Sequence, residues 1–239
     1  MKVTNKQTHY KKFSKTIHEV AYENEDFLLQ NSKDVFDEIV ELVNDAIDYA
    51  QSYAKRDKDE RKKLHAESAM NFYAYSSLMP SSNALLVDLL TGNLPACFRE
   101  LRFMIEMLAK CYLADRQYAQ LTFFERKLYA LQHTKDGKRI PEIRFVEDFS
   151  KEIQDGVTPL ELWRSLSEET HARKFVERVV DSVINRENVP AYSLVIPMVF
   201  VKGDLSDVED LNRYVVSFRG ILNKALTQGL YGTQHKKTV

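Results

Sequence analysis

Apolar residues recur along most of this chain at steps of three and four, the spacing that stacks side chains on one side of an α-helix. The cleanest run begins after Ser32: Val35, Ile39, Leu42, Val43, Ala46, Ile47, Ala50 and Tyr53 form one stripe. A denser stripe follows Pro95, which suits the first turn of a helix. There Phe98, Leu101, Ile105, Leu108 and Tyr112 align, and Met104, Met107 and Cys111 widen the apolar face, so this helix is expected at the centre of a bundle and to end near Tyr118.

Start and stop signals divide the rest. A helix through Ala66 to Leu78 is expected to end at Pro80, with Ser81 and Ser82 restarting another over Asn83 to Leu90 that Gly92 closes. Thr122 with Glu125, Thr158 with Glu161, and Ser206 with Glu209 each read as Ser/Thr-x-x-Glu, the reciprocal cap of a helix start. Behind them come Phe124, Leu128 and Leu131; then Leu162, Leu166, Phe175, Val179 and Val183; then Leu211, Val215, Phe218, Leu222 and Leu226. Pro141 opens a short helix through Val146, Phe149 and Ile153 that Asp155-Gly156 stops. Residues 191–201 (AYSLVIPMVFV) differ: β-branched and aromatic residues interrupted by Pro197 predict an extended segment or edge hairpin. The mixed charge run Lys55 to Lys63 reads as a solvated helix end or linker.

The expected fold is therefore all-α, a multi-helix bundle with one short extended or β segment near residues 191–201. Residues 1–31 read as a polar N-terminal arm, loose or a short helix, and 32–239 as a single helical domain. Composition agrees, since seven Gly and six Pro in 239 residues are too few for a turn-rich all-β chain.

Net charge is −1, which excludes the global positive field of a general nucleic-acid binder but leaves room for a local patch. Cys97 and Cys111 fall fourteen residues apart on one predicted helix. That is about 21 Å, too far for a disulfide, so both are expected as buried free thiols in a reducing compartment. The Lys-, Thr- and His-containing start lacks a leader-like apolar run, and no stretch is long enough to span a membrane; a cytoplasmic protein is expected.

Two constellations bear on chemistry. Arg99, Arg102, Glu106 and Lys110 share one face of the Pro95 helix. Either Arg102, Glu106 and Lys110 neutralise one another, or the guanidiniums face an anion such as phosphate, which a forked guanidinium matches. The second lies on the Thr158 helix. Arg164 and His171 are two turns apart and face the same way, with Ser167 and Glu168 between them. An imidazole there suits proton transfer for 2′-hydroxyl attack in RNA, and a guanidinium suits the developing phosphorane charge. The alternative is a structural histidine satisfied by Glu168 or Thr170.

These residues resemble the HEPN (higher eukaryotes and prokaryotes nucleotide-binding) superfamily of helical proteins, in which an Arg, a polar residue and a few further residues precede a His. Gly92…Arg99-x-x-Arg102-x-x-x-Glu106, followed by Ser167-x-x-x-His171, is similar to uncharacterised helical relatives near that superfamily, over roughly residues 85–185. The resemblance implies a protein that binds RNA or nucleotide, with metal-independent endoribonuclease activity of toxin or defence type. It further implies Arg164 and His171 as the catalytic pair, Arg99, Arg102 and Ser167 as anion or RNA contacts, Glu106 and Glu168 in support, and a site assembled across a homodimer. Active members commonly carry Asn, Asp or His after the arginine; Ser165 stands there in this chain. Arg126 and His133 repeat the same separation, with Lys127 after the arginine.

Other chemistries fit less well. Glu168-x-x-His171 has the step of a carboxylate-bridged di-iron bundle, but that site needs two such steps and no other His has a Glu three residues before it. The cysteines lack zinc-finger spacing, and neither a phosphate-binding Gly-rich loop nor a Gly-x-Ser-x-Gly elbow is present. No metal or cofactor is expected. Phe72, Tyr73 and Tyr75 suit base stacking or, more simply, packing. The competing class is a non-enzymatic interaction module whose apolar helix faces form a homodimer.

Overall fold

The chain is described here from a computed structural model over residues 5–154, 156–170 and 198–231. The described residues are all-α, with no strand among them. The helices are α1 (Asn5–Asn31), α2 (Lys33–Ala54), α3 (Lys58–Glu67), α4 (Ala69–Tyr73), α5 (Met79–Leu90), α6 (Leu94–Gln117), α7 (Phe124–Gln132), α8 (Glu142–Glu152), α9 (Pro159–Glu169) and α10 (Leu205–Tyr231).

Helix α6 is the axis of the bundle, and α4, α5, α7, α8, α9 and α10 all pack on it. Its sequence explains why. Leu101, Met104, Ile105, Leu108, Cys111 and Tyr112 spread apolar surface around most of the helix, and all are buried. A helix apolar on nearly every side stabilises only where neighbours surround it. Cys97 and Cys111 lie within this core as free thiols, and burial raises both well above the usual thiol range.

Several local expectations change on folding. Residues 5–31, read as a loose arm or short helix, form one 27-residue helix. Its apolar positions are sparse, but Val20 and Leu28 enter the core together with Asn24. Asn24 is the reason α1 docks where it does. Its amide donates to Leu90 O and Met198 O, each at 2.8 Å, and its carbonyl accepts from Phe200 N at 2.7 Å.

Pro80 does not end a helix. A π-helical turn, Ala74–Leu78, leads directly into α5 with Pro80 in its first turn, and Met79 N–H reaches back to Ala74 O. Widening that turn relieves the clash and the lost donor that proline would impose on a regular helix.

Gly92 closes α5 as expected. Its φ of +72° allows Gly92 N to bond Leu89 O and Asn93 N to bond Asp88 O, the paired bonds of a Schellman end. It also lets the chain pass: a Cβ at Gly92 would sit 2.1 Å from Met198 O. Residues 198–201, the described part of the predicted extended segment, are non-helical, and Met198 N–H donates to Thr91 O. Residues 191–197, and the positions Phe175, Val179 and Val183, lie outside the described residues.

Of the three reciprocal caps, Thr158–Glu161 forms in full. Thr122–Glu125 does not, because α7 starts at Phe124 with Phe123 at the cap position. Ser206–Glu209 is pre-empted by a 3-10 turn, Lys202–Asp204, so that α10 begins at Leu205. Asp204 there accepts from Val201 N–H at 2.8 Å. The charge run Lys55 to Lys63 spans the α2–α3 break, where Asp57 caps α3 by accepting from Asp59 N and Glu60 N. Among the described residues no helix is long and apolar enough to cross a membrane.

Candidate functional site: the junction of α6 and α9

The cap at Thr158 sets the geometry of α9. Its hydroxyl accepts from Glu161 N, and the Glu161 carboxylate accepts from Thr158 N at 2.8 Å and from the Thr158 hydroxyl at 2.9 Å. Those bonds, the backbone one first, hold the Glu161 carboxyl below the usual glutamate range. With the start fixed and Pro159 buried, Leu162 and Leu166 point into the core. Helical rotation then turns Trp163 and Thr170, seven residues apart, toward the same flank of α6.

On α6 the same logic operates. Leu101 and Ile105 are buried, which puts Arg102 and Glu106 at the edge of the core, one turn apart and facing α9. Glu106 Oε1 accepts from Arg102 Nε at 3.0 Å and from Trp163 Nε1 at 2.7 Å. The Arg102 guanidinium lies 5.0 Å above the Trp163 ring centroid, and its Nη1 donates to Thr170 Oγ1 at 3.2 Å. The Ser167 hydroxyl donates to Trp163 O at 2.7 Å, one turn back on its own helix. Residues 68 apart in sequence thus close one polar network.

That network is ordered but not sealed. The Arg102 side chain remains 36% exposed, and its Nη2 has no acceptor among the described residues. Chemically the junction offers an oriented, partly exposed guanidinium with one amino group unbonded among the described residues, beside the C-terminal end of α9.

The other candidates divide. Lys110 does not join Arg102 and Glu106. It is buried and turns instead to Glu142 on α8, 6.0 Å from the Phe145 ring centroid, so the neutralising stripe of Arg102, Glu106 and Lys110 is a pair plus a separate bridge. The reason is competition: Trp163 brings a second donor to Glu106, while α8 brings a carboxylate to Lys110. Arg99 is exposed one turn nearer the start of α6. Its charge reaches Asp88, whose carboxyl burial nonetheless raises above the usual range. Arg164 and Glu168 are exposed on α9, away from Leu162 and Leu166. His171 lies outside the described residues.

Trp163 and Thr170 are part of the site; the sequence pattern assigns Trp163 no role there and Thr170 only that of a partner for His171. A signal existed: an indole N–H seeks an acceptor when partly buried, and Thr170 stands two turns along the same face. Phe72 and Tyr73 are packing residues, whereas Tyr75 stands at the surface. Tyr73 is fully buried, Phe72 stacks on Phe124 at 4.6 Å, and the Tyr75 hydroxyl donates to Ala50 O. Comparison of the chain with protein-family models, with curated proteins and with solved structures returns no match.

Proposed function

We propose that this chain is an HEPN-like helical protein that binds RNA or a nucleotide at the α6–α9 junction and cleaves RNA there without a metal. The observation that supports this reading is the convergence of Arg102 and Glu106 with Trp163 and Thr170, immediately before His171, around a partly exposed guanidinium whose Nη2 has no acceptor among the described residues. A phosphate oxygen is a natural acceptor for that group.

In the proposed reaction the His171 imidazole takes the proton of a ribose 2′-hydroxyl. The oxygen attacks the adjacent phosphorus and the P–O5′ bond breaks. The proton returns to the departing 5′ oxygen, leaving a 2′,3′-cyclic phosphate and a 5′-hydroxyl. Arg164 stabilises the charge on the phosphorane, and Arg99 and Arg102 hold flanking phosphates. Assembly of the site across a homodimer is part of the same proposal.

Purified protein incubated with mixed-sequence RNA and EDTA tests this directly. Cleavage that persists under chelation, yields cyclic phosphate ends, and falls at least 100-fold in His171→Ala and Arg164→Ala is the expected result. Arg164 is exposed, so its removal leaves the fold intact, as circular dichroism will report. Absence of cleavage by the wild-type dimer would overturn the enzymatic reading and favour the non-enzymatic interaction module.

A further inference from the structure

Outside the α6–α9 junction, the sequence repeats the Arg-to-His spacing once, at Arg126 and His133. Arg126 lies on α7 and His133 directly follows its end; α7 packs on α6 and α4, whereas α9 packs on α6, α8 and α10. Helix α7 has two faces of opposite character. Lys127 and Leu131 turn inward and are buried. On the other side Phe123, Arg126, Tyr129 and His133 follow at steps of three, three and four. Arg126 lies 5.4 Å from the Phe123 ring centroid, and the His133 ring stacks on Tyr129 at 4.2 Å with a 23° interplanar angle. Phe123 is 46% and Tyr129 63% exposed, an arrangement that leaves ring surface facing water.

A short ordered hairpin extends this face. His133 and Arg139 form an antiparallel bridge, Thr134 N bonds Lys138 O at 2.9 Å and Ile140 N bonds Gln132 O at 2.8 Å. Gly137 supplies the positive φ that the turn needs. Lys135 and Lys138 stand on this turn, both exposed.

The charge here departs from that of the whole chain. Overall, 34 basic residues meet 35 acidic ones, yet from Phe123 to Arg144 six basic residues face three acidic. Three of the six are committed: Lys127 to Asp115, Arg139 to Glu142 and Arg144 to Glu147. The other three, Arg126, Lys135 and Lys138, enter no ion pair among the described residues. Arg126 lies against the Phe123 ring, and Lys135 and Lys138 stand on the turn after Tyr129, with Glu125 and Asp136 as the exposed carboxylates of the same segment.

We infer that the outer face of α7 and the adjoining hairpin bind single-stranded nucleic acid, with Tyr129 and Phe123 stacking on unpaired bases and Arg126, Lys135 and Lys138 contacting the backbone phosphates. Exposed rings set among cations that have no ion pair among the described residues match such a strand in both its parts, bases and phosphates. An acidic peptide would use the cations but not the rings. This surface is separate from the α6–α9 junction, and the inference stands or falls independently of ribonuclease activity.

The test is fluorescence anisotropy with 5′-labelled twelve-nucleotide oligouridine and oligothymidine, titrated with full-length protein between 50 and 200 mM salt. Wild type is expected to bind both strands, with affinity falling steeply as salt rises. Arg126→Ala/Lys135→Ala/Lys138→Ala is expected to reduce the slope of log affinity against log salt by about 2, since each lost phosphate contact removes about 0.7 on a single strand. Tyr129→Ala is expected to weaken binding roughly tenfold with the salt slope unchanged, and Tyr129→Phe to restore it, because stacking needs the ring and not the hydroxyl. His171→Ala and Arg164→Ala are expected to keep this binding whether or not they cleave. Equal affinity of wild type and the triple variant would overturn the inference. So would a Tyr129→Ala variant that binds as wild type, a twelve-base-pair duplex bound as tightly as the single strands, or phosphatidylserine vesicles bound in their place.

Discussion

Of the arginines that sit over aromatic rings, Arg102 and Arg126 do so at nearly the same distance, and their surroundings differ in the acceptors that join them. Arg102 lies 5.0 Å from the ring of Trp163, and Arg126 lies 5.4 Å from that of Phe123. At the α6–α9 junction a carboxylate joins the pair: Glu106 binds both the guanidinium and the indole, and Thr170 takes a further N–H. On the outer face of α7 Arg126 has no such acceptor among the described residues. Sequence-adjacent Lys127 makes the same point from within one helix. It turns inward to Asp115 at 2.9 Å, while its neighbour Arg126 turns outward. A cation is a structural brace or a docking group according to whether the fold brings a carboxylate within reach, not according to its own identity.

The largest effect is expected where the closed arrangement is broken at its hub. Glu106→Ala leaves the Trp163 N–H and the Arg102 guanidinium short of an acceptor, and should cost about 2 kcal/mol of stability in urea unfolding, allowing for the partial exposure of Arg102. Glu106→Gln retains an acceptor for the indole and should cost about half as much. If Glu106→Ala unfolds no more easily than wild type, Glu106 is not the hub of this junction.

Lys127→Met comes next, at about 1 kcal/mol, because it strips a buried cation from Asp115. The loss is limited since Asp115 still accepts from the Ser68 hydroxyl and from Ala69 N and Met70 N. Arg126→Ala, one residue away, should lie within about 0.5 kcal/mol of wild type in the same assay. That contrast between neighbours is the sharpest test of the distinction, and equal losses at the two positions would erase it.

The smallest effect concerns the cap that positions α9. The Glu161 carboxyl is depressed by its bonds to Thr158, so the folded state holds the ionised form more strongly than the unfolded chain does. Its contribution is present above the ordinary glutamate pKa, and is lost as pH falls through the depressed folded value. Thermal unfolding followed from pH 6 down to pH 3 should show a shallower acid slope in Glu161→Gln than in wild type. An identical slope would remove the cap from the account of how Trp163 is aimed.

Much of the architecture was legible beforehand for a simple reason. Burial demands a three-and-four repeat, and the repeat is visible without knowing the neighbours: the stripes of α6 and α10 enter the core, and α2 buries Val35, Ile39, Leu42 and Ala46 of its stripe while Ile47 stays at the surface. Local signals did less well where two of them competed. The Thr158–Glu161 cap formed beside Pro159, which favours the first helical turn, but Thr122–Glu125 yielded to a start at Phe124. Pro80 stopped nothing, because the π turn before it absorbed the proline. The N-terminal segment misled through its polarity: a few contacts, led by the three hydrogen bonds of Asn24, hold a helix whose composition reads as an arm.

Sequence alone determined that the chain is a helical bundle, that the helix after Pro95 is its centre, and that Arg102 and Glu106 share a face. Those are consequences of periodicity, which each helix carries within itself. Tertiary structure decided which partner each charge takes: Glu106 with Trp163 from α9, Lys110 with Glu142 from α8, Lys127 with Asp115 from α6. Such pairings depend on which helices are neighbours and how each is rotated, and no segment encodes that by itself. Coulombic and hydrogen-bonding forces act over a few ångströms, so only the packed bundle brings their partners into range.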